Sequence, residues 1–305
     1  MLNFLLLLPS SCFATEVLNP LIFTDAHEGL VYVAEQDRLY FTTKPQLKNG
    51  KHLVAIHYLD LKQNKIVGFI DDANMANSMT LANDGQALLV AEQGSRDTPA
   101  AISEINLTTK KRRVLTNNFA GKPFNSPNKI IQNKTGLIYF SDPDYGYNQG
   151  FKAKPQLKNA IYVFDSTLNK TILLTNAFKM PHGLALTDDD NTLLVGDTAA
   201  NDSIHPYDPT KSHGIYRVIL ADATHIQTIV PFITIPNGIP DGIIVHKKEI
   251  YTATAHGILH YDAQGQLLQR YSTPVEAFSL SWASDINTLF VTTNTAIHSM
   301  KTKSS

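Results

Sequence analysis

Six residues open six similar segments of this chain, and their types could do chemistry together: Glu28, Asn77, Asn128, His182, Asp241 and Phe278. Two carboxylates, two amides, one imidazole and one aromatic ring would meet if the segments were arranged around an axis. Bringing Glu28 and Asp241 together costs repulsion and desolvation, and a bound cation is the simplest compensation. Carboxylate and amide oxygens suit a hard ion, chiefly Ca²⁺. The imidazole of His182 pulls the other way, toward Zn²⁺, Mn²⁺ or Fe²⁺. The types alone therefore say "divalent metal" and leave its identity open. The competing structural role is capping, because Asn and Asp at strand ends bond to turn amides. Five polar residues at equivalent repeat positions make that a poor account of the whole set.

The elements that must position these residues are short strands. Alternating or continuous apolar runs such as Leu39-Tyr40-Phe41, Leu88-Leu89-Val90 and Leu193-Leu194-Val195 are separated by Asn, Asp and Gly, the pattern of strands joined by turns. No rhythm of strands alternating with long helices appears, which argues against a doubly wound or barrel α/β fold. Each segment has a polar or aromatic first residue, a strand, a tight turn and a second strand, as in NSMTLANDGQALLVAE from Asn77 and HGLALTDDDNTLLVGD from His182. The first residues recur at intervals of 49, 51, 54, 59 and 37. A period of that size built only from strands predicts an all-β, six-bladed β-propeller, each blade burying its apolar faces on its neighbours. A β-sandwich would not explain the shared first residue, and the period is too long for a β-helix. The last blade is short, so TEVLNPLIF (15–23) is expected to supply its missing outer strand. The stretches 145–158 and 197–213 are the longest insertions and read as loops over one face. The phrase KPQLKN, at 44–49 and again at 154–159, reads as a loop relic of duplication.

Bulk properties bound the rest. The 305 residues, 43% of them hydrophobic, are ample for one core, and 15–305 is expected to be a single propeller domain. With 26 basic and 27 acidic residues, nothing suggests a nucleic-acid footprint. Residues 1–14, MLNFLLLLPSSCFA, read as a short secretory signal cleaved after Ala14, although no Lys or Arg precedes the apolar run. The run is too short to span a membrane, and no other stretch approaches spanning length. The expected location is secreted or periplasmic. The lone Cys12 lies within that signal, and Pro9 makes a poor lipoprotein cleavage box. The oligomeric state is not encoded in any of these features.

With those residues in place, the segments resemble the SMP-30/gluconolactonase/LRE family of six-bladed propellers, which includes calcium- or zinc-dependent lactonases. FNSPNKIIQNKTGLIYFSDPDYG (124–146) is similar to the family's central signature, NSPND before a strand and then TDPxYG. PHGLAL (181–186) with LLVGDT (193–198) resembles PNGLAF and LYVADT, IPDGI (239–243) resembles PDG, and EGLVY (28–32) resembles EGPVW. The ordered set covers nearly the whole chain after the signal and is specific for the family, not for a substrate. The resemblance implies that Glu28 is a metal carboxylate and that Asp241 is a metal-bound aspartate and general base. It places His182 where the family has a metal-binding Asn. Asn128 matches an Asn that contacts substrate or the water on the metal, and so counts both as a possible ligand and as a catalytic and substrate-binding residue. Asn77 shares that rim.

Three departures stand out. His182 replaces an oxygen donor by nitrogen. Lys129 stands where the family usually has Asp, and Gln93 where gluconolactonase-like members often have His. A lysine at the mouth could attract an acidic lactone, or point to solvent as most lysines do. Phe278 could pack on a lipophilic substrate or plug the core. The expected function is hydrolysis of a small-molecule lactone or ester by water activated on one divalent ion, Ca²⁺ by family, with Zn²⁺ or Mn²⁺ admitted by His182. Asp241 takes the proton, or His182 does if it is not bound to metal. No organic cofactor is implied. The alternatives are an arylesterase or phosphotriesterase on the same scaffold and a propeller that binds partners without catalysis. A strictosidine-synthase-like condensation is less favoured, since nothing here asks for an amine substrate.

Overall fold

The computed structural model describes residues 15–301; the expected signal and Cys12 lie outside them. The described chain is a six-bladed β-propeller. Blade 1 is built from Ala26–Val33, Arg38–Thr43, Ile56–Asp60 and Lys65–Ile70, and blade 2 from Ala76–Leu81, Ala87–Glu92, Ala101–Asn106 and Arg112–Thr116. Blade 3 runs Ile130–Gln132, Ile138–Asp142, Ala160–Asp165, Lys170–Thr175, and blade 4 Pro181–Leu186, Thr192–Asp197, Gly214–Asp222, His225–Thr234. Blade 5 runs Ile243–His246, Glu249–Thr254, Gly257–Tyr261, Leu267–Ser272, and blade 6 begins Ala277–Ala283, Thr288–Thr293, Ala296–Lys301. Successive innermost strands touch all the way round, from blade 6 back to blade 1.

The tight turns that mark the repeat are legible in backbone angles. The first hairpin of every blade carries a left-handed residue: Asp37, Gly85, Gly136, Asp190, the pair Lys247-Lys248, and Asn287. In five blades the loop has four or five residues with a positive-φ residue near its end, a position that Asp, Asn and Gly tolerate. Blade 5 has a two-residue turn, and Lys247 and Lys248 both take positive φ there.

The core is six apolar layers between neighbouring blades. Leu88 and Val90 pack with Val31, Tyr40 and Ile56 toward blade 1, while Leu89 and Ala91 pack with Ile130 and Phe140 toward blade 3. Alternate residues of one strand thus serve opposite interfaces, and both faces must be apolar. That explains continuous runs such as Leu88-Leu89-Val90. Burying one such leucine is worth about 1.5–3 kcal/mol, so an isolated blade would leave two unsatisfied faces.

The ring closes at the N-terminal segment, but not by one strand. Pro20–Phe23 pairs antiparallel with Ala296–Lys301 and completes blade 6, as expected. Thr15–Val17 instead runs parallel to Leu267–Ser272 as a fifth strand on blade 5. Leu18 between them is buried, its N–H donating to Ser272 O and its carbonyl meeting His298 Nδ1. One short segment therefore fastens two blades. The two KPQLKN copies differ in form: the first builds a hairpin of Gln46–Lys48 with Lys51–Leu53, whereas the second has no strand. Among the described residues, no helix is long and apolar enough to cross a membrane.

Candidate metal centre

All six first residues of the repeat line one cavity of about 220 Å³ at the end of the central channel. A shared backbone device puts them there. In blade 3 the Asn128 N–H donates to Ser141 O while Ser141 N–H donates to Lys129 O. In blade 5 Asp241 and Gly242 oppose Ala253 in the same way. In blades 1, 2, 4 and 6 the register of the inner pair also breaks at this point. Two residues opposing one is a β-bulge, which re-aims a side chain that the pleat would send sideways. Each bulge is also tied to a neighbouring blade. Thr42 Oγ1 donates to Asn77 O, Ser141 Oγ to His182 O, and Thr292 Oγ1 to His27 O. Gly183 must be small, since a Cβ there would lie 2.2 Å from Asp241 O.

Glu28, His182 and Asp241 converge. Each offers one donor atom, and the three atoms lie within 4.8 Å of one another. His182 Nδ1 is 3.6 Å from Asp241 Oδ1. All three residues are buried, at 5%, 8% and 7% exposure. Burial pushes the Glu28 carboxyl up to about 7, aided by Glu276 and opposed by Lys129. Asp241 is raised well above the usual range by burial and by the charges of Glu28 and Glu276. Burial and then the Lys129 ammonium push His182 down to about 3. Its approach to Asp241 is therefore the contact of a neutral imidazole with a carboxyl group, not an ion pair at neutral pH.

The donor set fits a divalent ion. Asn77 Oδ1, Asn128 Oδ1, His182 Nδ1 and Asp241 Oδ1 are all buried without a hydrogen-bond partner. Such groups are costly to leave unmade. Here they occur together and lie around one cavity. The neutral imidazole of His182 is already in the state that ligates metal, whereas the raised carboxyls must give up their protons to do so. Glu28, His182 and Asp241 could hold the ion, with the two amide oxygens beside them. Phe278, 8% exposed, lies 4.5 Å from His27 between ring centroids, tilted at 59°, and forms one apolar wall of the same cavity.

Lys129 does not stand where the sequence suggested. It is 8% exposed and lines a separate recess on the far side of the ring, bounded by Leu184, Ile243 and Leu280, so it is neither at the substrate mouth nor in solvent. The reason is the bulge: the residue after each first residue turns away from the cavity. Among the described residues that line the cavity, none is Lys or Arg.

Three participants were not singled out from sequence. His27 sits beside Glu28 and is pushed down to about 4 by burial, its Nδ1 meeting Asn294 Oδ1 at 3.1 Å. Tyr145 lies edge-on to His182 at 5.6 Å, its hydroxyl bonded to Thr198 Oγ1. Glu276 adds a third carboxylate to the wall, raised by burial. Each adjoined a motif (HEGL, SDPDYG, and the residues before Phe278) but not the repeat position itself. Gln93 lines the wall, and the two long insertions contribute Tyr145, Gln149, Asn201 and Ser203, so both do cover this face. A larger recess of about 570 Å³ lies between blades 1 and 2 near Asn74, Arg96 and Phe151, and shares no lining residue with this cavity.

Comparison with known proteins places the chain in a family. The family described as SMP-30/Gluconolactonase/LRE-like region matches residues 26–295. A gluconolactonase of Zymomonas mobilis is 30% identical over 198 residues, covering 63% of this chain and 53% of that protein. A lactonohydrolase of Aspergillus oryzae is 26% identical over 283 residues, covering 85% and 63%. The chain thus spans less than two thirds of either relative. Among solved structures, a gluconolactonase from Xanthomonas campestris superposes with a TM-score of 0.76 at 22% identity, over 94% of this chain and 87% of that one.

Proposed function

Because this chain belongs to the SMP-30/gluconolactonase/LRE-like family, we propose that it hydrolyses a lactone with the help of one divalent metal ion. The observation that carries this reading is the convergence of Glu28, His182 and Asp241 within 4.8 Å, beside buried amide oxygens that lack partners. When bound, such an ion supplies Lewis-acid polarisation of an ester carbonyl and lowers the pKa of water.

The chain's own residues do the rest. Asp241 receives the proton of the attacking water at its carboxylate. Burial and the neighbouring Glu28 and Glu276 charges raise this carboxyl above the usual aspartate range, the direction that favours proton acceptance. Asn128, with its Oδ1 unpartnered and 3% of its surface exposed, orients the water or the lactone. Asn77 is placed to accept from a substrate hydroxyl. His182 stays neutral and so is a donor to metal, not a proton carrier. The ring C–O bond then breaks, and the proton held by Asp241 passes to the departing alkoxide. The product is an open-chain hydroxy acid. The cavity wall favours a small polar substrate: amides, hydroxyls and carboxylates surround it, and Phe278 and Ile239 supply apolar contact. Export by the N-terminal segment remains part of this proposal.

The test is a panel of lactones with purified protein, with and without chelator, repeated with Asp241→Asn. Hydrolysis that needs the metal and is lost by at least about 10²-fold in D241N supports the reading. Full activity in D241N, or after complete metal removal, sinks it.

A further inference from the structure

The six first residues form one tier of the ring, and the residues that follow them form a second. Beyond these tiers, the second strand of every blade ends on a buried polar residue: Thr43, Glu92, Asp142, Asp197, Thr254 and Thr293. The six divide by type and by what they hold. The threonines bond forward, to the chain entering the third strand. Thr43 Oγ1 accepts the Ala55 N–H. Thr254 Oγ1 accepts from His256 N–H and donates to Gly257 O, and Thr293 Oγ1 accepts from Ala296 N–H and donates to its carbonyl. The acids bond backward, to the segment that enters the innermost strand. Asp142 accepts the Asn125 and Ser126 N–H groups at 2.9 and 2.8 Å, one on each oxygen. Asp197 accepts the Lys179 and Met180 N–H groups at 3.3 and 2.9 Å, again one on each oxygen, and its Oδ1 also takes the Ala199 N–H. A carboxyl has two oxygens for two successive donors, whereas a threonine hydroxyl has one. Glu92, one carbon longer, reaches the Asn74 side chain, whose Nδ2 donates to it at 2.9 Å. Asn74, Asn125 and Lys179 each stand three residues before a first residue, namely Asn77, Asn128 and His182. The same clamp therefore recurs at one register in three blades. The clamped segments of blades 3 and 4 are also tied to each other. Gly146 N–H donates to Ser126 Oγ at 2.8 Å, and the neighbouring Tyr145 hydroxyl bonds Thr198 Oγ1, which donates to Met180 O at 3.2 Å.

We propose that Glu92, Asp142 and Asp197 are positioning residues, which clamp the entry segments of blades 2, 3 and 4 and so aim Asn77, Asn128 and His182 into the cavity. The blades with acids carry the two amides and the imidazole of the ring. Glu28, Asp241 and Phe278 stand in the blades with threonines. That division has a physical reason. A carboxylate is drawn onto a cation by its charge. An amide or imidazole offers only a dipole, so its share of binding depends on being held in place beforehand. Asn77 Oδ1, Asn128 Oδ1 and His182 Nδ1 are buried without hydrogen-bond partners. No hydrogen bond holds these donor atoms themselves, so the backbone that carries them has to be held. None of the three acids lines the cavity, and they act on metal and substrate only through the first residues.

This inference rests on the ring being a metal site, as proposed above, but its readouts need no substrate. The test variants are Asp142→Thr and Asp197→Thr, which install the residue that three other blades carry at this place. The controls are Thr254→Val and Thr293→Val, which remove the forward bonds of blades 5 and 6. Amide hydrogen exchange is followed by mass spectrometry in excess chelator, and Mn²⁺ affinity by calorimetry. D142T is expected to speed exchange in 125–128 and D197T in 179–182. Each is expected to weaken Mn²⁺ binding by at least about tenfold. T254V and T293V are expected to lower Tm while keeping wild-type exchange in both segments and wild-type Mn²⁺ affinity. Unchanged exchange in a test variant's own entry segment overturns the proposal. So does wild-type Mn²⁺ affinity in the test variants, or an equal loss in the controls, which would assign the effect to general loosening. If a test variant fails to fold, Asp142→Asn or Asp197→Asn, which keeps the volume and one acceptor oxygen, replaces it under the same criteria. A wild type that binds no Mn²⁺ would refute the metal reading, and exchange in the two entry segments would then decide the clamp alone.

Discussion

The raised carboxyls make metal binding a proton-linked reaction, and the size of the linkage can be worked from Glu28. Its carboxyl sits at about 7 in the ion-free protein against an ordinary 4.5, chiefly through burial. A metal ligand must be deprotonated. At pH 7 Glu28 is about half ionised, and at pH 5.5 about 3%. From this residue alone, affinity should fall about 15-fold between those two pH values. An unperturbed glutamate would change it by about 1.1-fold. Asp241, raised by the same burial and by Glu28, steepens the fall. His182, pushed to about 3, contributes nothing in this window. The sign also fixes stability. A carboxyl whose folded-state pKa lies above its unfolded value destabilises the folded state as pH rises from about 4.5 to 7, by about 3 kcal/mol when complete. His27 and His182 slope the opposite way below about 6.5, so the Glu28 share is read as the difference between wild type and Glu28→Gln in chelator. The assay for linkage is calorimetric titration with Mn²⁺ from pH 5.5 to 8.5 in buffers of different ionisation enthalpy, which counts protons released. An affinity that is flat between pH 5.5 and 7, with no proton release, would refute the electrostatic account of the ring.

Two substitutions probe the donors and their scaffold. His182→Asn exchanges a nitrogen donor for an amide oxygen and should shift preference from Mn²⁺ or Zn²⁺ toward Ca²⁺ by at least about tenfold, read by competitive binding; an unchanged ratio would show that His182 is not a ligand. Gly183→Ala places a Cβ 2.2 Å from Asp241 O, so it should cost about 1–3 kcal/mol in a denaturant melt and weaken metal binding together.

The propeller was legible because its signals are local. Each first hairpin needs a left-handed residue and supplies Asp, Asn, Gly or, in blade 5, two lysines. Each inner strand serves two apolar interfaces and so reads as a continuous run. The six first residues were legible because a repeat turns equal sequence positions into equal places in space. What the repeat could not give was the orientation of neighbours. Lys129 follows Asn128 directly, yet the bulge sends the two side chains to opposite sides of the ring. His27 and Glu276 reach the cavity from outside the repeat position, by one residue and by two. The division of residues 15–23 between blades 5 and 6 depends on where the two free edges fall once the ring has closed, a distance that no local pattern carries.

That ordering has a chemical consequence. The bulge faces both ways at once: its first residue addresses the cavity, and its second addresses the neighbouring blade. On the first tier the polar side chains face the cavity, so donor type can change there, as at His182, with little change to the packing between blades. The second tier has no such freedom. Gly183 and Gly242 are fixed by contacts with the next blade's carbonyls, so a charge can enter only where a blade leaves room behind its first residue. Blade 3 leaves that room, its Ser141 hydroxyl bridging from the Lys129 N–H to His182 O. The same hydroxyl therefore ties the main chains of His182 and Lys129 together at the seam between blades 3 and 4.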